Sequence, residues 1–137
     1  MTVSVLRGTH GHQRKELDRL MSFLEQIESP GVLNLTNSLL SMIAPEAKRR
    51  LNTPVICSLE GEDEFVARLP APWRGEAGHL MRDYAKDVDM FTAPDPDYAD
   101  QMCEFLQVSR ERMRVVPPGI DLSNYRPAEA RVTRPFR

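Results

Sequence analysis

Residues 112–127 read RMRVVPPGIDLSNYRP. The β-branched pair Val115 and Val116 runs into Pro117 and Pro118, followed by Gly119, Ile120 and Asp121. Two consecutive prolines fix φ and withdraw two backbone donors, so a strand that reaches them must end. Gly119 permits a backbone conformation closed to other residues. The stretch therefore predicts a strand over 112–116, a stiff exit from a sheet edge, and a bend.

Read backwards from that strand, the chain alternates. Residues 108–111 form a turn, and Tyr98, Met102, Phe105 and Leu106 fall at helical spacing before it. The loop 94–97, PDPD, follows a short strand over 90–93. A helix from 70–73 to about residue 87 places Ala77, Leu80, Met81, Tyr84 and Val88 on one face. Residues 54–59, PVICSL, are the clearest strand, an apolar β-branched run left through 60–63, EGED. Residues 39–51 predict a helix. Pro45 starts a second segment within it, because proline is tolerated in a first turn but not mid-helix. Thr36, Asn37 and Ser38 supply N-cap oxygens ahead of it. Residues 32–35 read as a strand buried on at least one face. Pro30 and Gly31 stop a helix over 12–28 whose Leu17, Leu20, Met21, Leu24 and Ile27 recur at helical spacing. Residues 2–6, TVSVL, are β-prone and predict an opening strand, left through the two-glycine turn 7–11. Short apolar strands alternating with helices predict an α/β fold, a Rossmann-like parallel sheet with right-handed crossovers laying helices on its faces.

A chain of 137 residues allows one domain with a core of useful size. Its net charge of -2 gives no general electrostatic reason to bind nucleic acid or an anionic membrane. Arg126, Arg131, Arg134 and Arg137 make the end locally basic, which reads as a solvated terminus. Cys57 and Cys103 show no metal spacing and read as buried free thiols of a reducing compartment. The first residues lack the charged-then-apolar pattern of a secretion signal. No run approaches the ~18 apolar residues of a membrane span. The expected location is cytoplasmic, compatible with peripheral contact at a membrane surface.

Open α/β sheets bind ligands beyond the carboxyl ends of their strands. That rule selects five loops: 7–12, 36–38, 60–63, 94–97 and 117–121. In the third, Glu60, Glu62 and Asp63 surround Gly61, which lets the backbone approach a ligand. Such carboxylates accept hydrogen bonds from ligand hydroxyls or act as a general base. The same residues equally suit the acidic first turn of a helix. Arg7, with His10 and His12, can clamp a phosphate or carboxylate. Two histidines without a third ligand do not make a metal site, so none is expected. Asn37 stands at a helix start that suits an anion, and plain capping explains it as well. Asp95 and Asp97 fit turn chemistry. Gly119 and Asp121 lie in the bend after the two prolines, where a ligand role is secondary. Trp73 is either a stacking platform or a cap on a helix start, and His79 a surface residue. No G-x-G-x-x-G phosphate cradle is present, and no cofactor is expected.

The run from Val115 to Asp121, with Tyr125 and Pro127, resembles the "VxPxGID…F/Y.P" segment of two-domain (GT-B) glycosyltransferases, family four in particular. That segment closes their N-terminal Rossmann-like domain. From Gly61 onward, residues 59–65 match the family's "L.GED.F" stretch, with Glu60 where many members carry Gln or His. Asn37 and Ser38 match an Asn-Ser pair frequent there, while Asp95 stands near a position more often Ser. The resemblance runs from about Val3 to Pro127. It implies the acceptor-side domain of an enzyme moving a sugar from a nucleotide-sugar donor to a sugar or lipid-linked acceptor. The family usually transfers with retention of anomeric configuration and without a metal. On this reading Arg7, His10, Asn37, Glu60, Gly61, Glu62, Asp63, Gly119 and Asp121 face the acceptor side of the interdomain cleft. Residues 1–125 would be a partial N-terminal domain and 126–137 the remnant of an interdomain linker, with both ends cut. The nucleotide-sugar would bind through the absent second domain, leaving this chain inactive alone. The alternative is a stand-alone flavodoxin-like interaction module that docks to a partner lobe or dimerises through an exposed sheet edge. A receiver-type phosphoacceptor domain does not fit, because no second strand-end aspartate and late lysine accompany the acidic cluster.

Overall fold

The computed structural model describes residues 2–27 and 30–123. The expected linker remnant at 126–137 and the basic end lie outside the described residues.

The first departure from expectation is at the start. Residues Thr2–Leu6 form a helix, α1, not a strand. Strand preference in a five-residue piece is weak and yields to packing. Val3 and Leu6, three apart and so on one helical face, are both buried. A 3-10 turn at Gly8–His10 follows, with Gly8 at φ +53, a left-handed conformation that suits glycine. Helix α2, Arg14–Leu24, buries Leu17 and Met21 and leaves Leu20 and Phe23 exposed.

Strand β1 is Leu33–Leu35, and a 3-10 turn, Ser38–Ile43, leads into α3, Ala44–Leu51. Pro45 sits in the first turn of α3, where its missing N–H costs nothing. Strand β2, Val55–Ser58, is followed by α4, Glu62–Ala67, and α5, Trp73–Ala85. Strand β3, Met90–Ala93, leads to α6, Pro96–Leu106, whose N-cap Asp95 accepts the Tyr98 N–H at 2.8 Å. A 3-10 turn, Arg110–Arg112, precedes β4, Met113–Val115.

The four strands lie in the order β1-β2-β3-β4, and every neighbouring pair is parallel. Leu35 pairs with Cys57, Cys57 with Phe91, and Phe91 with Met113. This order never reverses. Right-handed crossovers taken always in one direction lay their helices on a single face of the sheet. Burial follows that geometry. Leu35, Val55, Cys57, Phe91, Ala93 and Met113 point inward and are buried. The alternating set is Asn34, Ile56, Ser58, Met90, Thr92 and Arg114, and each of these is half-buried or exposed. Helix α1 packs against α5 and the Ser38–Ile43 turn, within the same helical layer. The expected parallel sheet with flanking helices is present, and the described helices lie on one of its faces. On the outer face Ser58 Oγ donates to Asn34 Oδ1 at 3.3 Å, and Thr92 Oγ1 to Ser58 Oγ at 3.2 Å.

Candidate functional site

The ladder is carried to the edge of the sheet by two bonds past the strand ends. Leu59 N–H donates to Thr92 O at 2.9 Å, and Val116 N–H to Ala93 O at 2.8 Å. There the chain leaves β4 through Pro117 and Pro118. Beyond the carboxyl ends of β2, β3 and β4 lies an open cleft of about 770 Å³. Its polar lining is Ser58, Glu60, Glu64, Thr92, Asp95 and Tyr98; Leu59, Ala93, Pro94, Val116, Pro117 and Pro118 supply apolar wall, with Gly61 and Gly119 at the turns. Gly61 has φ +104, a conformation that L side chains rarely adopt, and it starts α4.

One buried carboxylate holds this edge together. Glu62 is only 5% exposed. Its Oε1 accepts the Ser38 N–H at 2.6 Å and the Ser38 hydroxyl at 3.1 Å, while Oε2 accepts the Glu60 N–H at 2.6 Å. The Tyr98 hydroxyl accepts the Gly61 N–H at 2.6 Å and lies 3.2 Å from both Glu62 Oε2 and Asp63 Oδ1, to one of which it donates. Gln101 donates to the other oxygen of Asp63. A buried carboxylate is tolerated only when its lone pairs are filled in this way. The loops after β1 and β2 and the helix after β3 are thereby fixed to one another. Burial, and then the Glu62 charge, push the Tyr98 hydroxyl above its ordinary pKa. The same two causes in the same order raise the Cys57 thiol, which lies buried on the inner face and is therefore a poor nucleophile.

Of the residues singled out in the sequence, Glu60, Gly61, Asp95 and Gly119 line the cleft. Glu62 and Asp63 stand behind it as its polar support. Asn37 caps the Ser38–Ile43 turn by accepting the Leu39 N–H at 3.1 Å. Asp121 accepts the Ser123 N–H at 2.8 Å, a bond that holds its carboxyl below the ordinary range. Arg7 and His10 are placed elsewhere. Because 2–6 is helical, the 7–12 loop does not follow a strand. Arg7 pairs with Glu76 at 2.6 Å and lines a separate cavity of about 280 Å³ beside His12 and Trp73. His10 lines another, of about 590 Å³, with Arg14, Lys15, Arg49 and Arg50. Sequence reasoning passed over Tyr98, Glu64, Ser58 and Thr92. Tyr98 reads as an apolar helix position, yet its place in the first turn after the Asp95 cap brings its hydroxyl back to the β2 loop.

The cleft offers hydrogen-bond acceptors for hydroxyls and exposed carboxylates that can take a proton. Among the described residues no three His, Cys, Asp or Glu side chains gather to hold a metal ion. No described helix is long and apolar enough to cross a membrane. The family model described as Glycosyltransferase Family 4 matches residues 3–124. No curated protein matches the sequence.

Proposed function

As the chain belongs to Glycosyltransferase Family 4, we propose that it is the acceptor-side domain of an enzyme moving a sugar from a nucleotide-sugar to a sugar or lipid-linked acceptor. The observation that carries this reading is the position of the cleft, at strand ends where open parallel sheets take ligands. The acceptor enters there, its hydroxyls donating to Glu60, Glu64 or Asp95. The donor diphosphate is held by a second lobe. Closure of the two lobes orients the reacting atoms and excludes water. Transfer proceeds with retention and without a metal, residues 1–125 serving as the domain and 126–137 as the link to its mate.

The test is a titration of the ¹⁵N-labelled chain with neutral mono- and disaccharides, alongside an assay of nucleotide-sugar turnover. The amides of Gly61, Tyr98 and Gly119 are expected to shift, and turnover by this chain alone to stay at the blank. Shifts confined to the cavities beside Arg7 or His10 would move the site. Clear turnover without a second lobe would refute the division of labour.

A second reading, an interaction module, has one observation in its favour. On the outer sheet face Ile56 and Met90 are half-buried, and Val32 and Val116 are exposed, with no described helix above them. Light scattering after size exclusion separates the two: a dimer mass favours the module, a monomer the domain.

A further inference from the structure

Resting on the reading of that cleft as an acceptor site, we propose that it takes an uncharged or amine-bearing polyol and turns phosphorylated acceptors away. Among the described residues, the ionisable acids and bases of its lining are the carboxylates of Glu60, Glu64 and Asp95, with the Tyr98 phenol beside them. Glu60 and Asp95 form no ion pair with a described cation. Glu64 meets Arg68 at 3.3 Å, but those side chains are 72% and 81% exposed, and such a pair is weak and screened.

Behind this lining stand Glu62 and Asp63. Their partners are backbone N–H groups, hydroxyls and the Gln101 amide, which are dipoles rather than cations. Five carboxylates therefore bear on one concave edge. The nearest sheet cation is Arg114, in register with Thr92 on the outer face. Its guanidinium turns to the carbonyls of Glu111 and Met113, at 2.9 and 3.2 Å, towards the amino end of β4 and away from the cleft.

The consequences differ by ligand. A hydroxyl finds acceptors, an ammonium finds acceptors and attraction, and a phosphate dianion meets like charge without a counterion. Apolar walls of Leu59, Ala93 and three prolines, Pro94, Pro117 and Pro118, strengthen the effect, because low-dielectric sides focus the field of a cleft.

Two measurements on the full chain test this. The first compares two pyrrolidine nitroxides alike except for charge, one aminomethyl and one carboxylate. Paramagnetic broadening of the Gly61, Glu64, Thr92 and Gly119 amides is expected to be about tenfold stronger with the cation at low salt. Physiological salt shrinks that ratio, and the Glu60→Gln, Glu64→Gln double variant cuts it to about a third. Equal broadening by both probes overturns the inference and leaves the acceptor reading standing. The second compares glucosamine, glucose and glucose 6-phosphate by shifts of the same amides, with the phosphate expected weakest. A phosphorylated sugar binding tightest again overturns the inference alone. If none of the three shifts a cleft amide, the acceptor reading itself falls.

Discussion

Glu62→Ala is expected to destabilise the protein by about 3–5 kcal/mol, the cost of leaving its hydrogen-bond donors without an acceptor. The side chain is almost fully buried, and its two oxygens serve the Ser38 N–H, the Ser38 hydroxyl and the Glu60 N–H. Alanine leaves all three without their acceptor, two of them at the buried Ser38, at about 1–3 kcal/mol for each group left unsatisfied and not relieved by relaxation. Small domains hold only about 5–15 kcal/mol in total, so the loss is a large share. Glu62→Gln keeps the shape but sets an NH₂ against a backbone N–H, and is expected to cost about half as much. Glu60→Ala, two residues earlier and exposed, should stay within about 0.5 kcal/mol. Urea titrations settle the comparison through midpoints at constant m-value. Equal midpoints for Glu62→Ala and Glu60→Ala would dissolve the clamp. The amides of Gly61 and Tyr98 should also move in Glu62→Gln, because the Tyr98 hydroxyl bridges both loops.

That contrast marks what a sequence can and cannot say about this site. Glu60 and Glu62 are the same residue type in one short acidic run. Which of them turns inward is decided by Ser38, 24 residues away. The helix reading of the run holds, since α4 begins with an acidic first turn, and one of its acids has a structural task besides. Its extent was not legible, since six residues are too few to establish a period. Strands β2, β3 and β4 were legible because apolar runs end at prolines or turn residues. Residues 2–6 were not, because β-branched composition points one way and the burial of Val3 and Leu6 against α5 and the Ser38–Ile43 turn points the other.

The sheet face that no described helix covers had a signal too. Asn34, Ser58, Thr92 and Arg114 each alternate with inward apolar residues, the period of a strand covered on one side. Strand alternation with helices, taken alone, argues for cover on both sides, and only the strand order decides between them.

The one-sided core makes a sharp prediction about neighbours on β3. Phe91 is fully buried, registered between Cys57 and Met113, with the Arg112 guanidinium 5.7 Å from its ring centroid. Phe91→Ala is expected to cost about 3–5 kcal/mol, since it removes the ring and leaves a cavity the sheet cannot close. Met90 precedes it and points the other way, half-buried on the outer face. Met90→Lys should cost less than about 1.5 kcal/mol, because a lysine stem can lie along the sheet with its ammonium in water. The two variants differ in kind: one shortens a side chain, the other introduces a charge. Under a helix on each face the charge would be the worse of the two, forced into an apolar layer. Under a helix on one face the order reverses. Chemical denaturation of both variants reads out that order directly, and a Met90→Lys protein less stable than Phe91→Ala would mean that something in the native molecule covers the outer face.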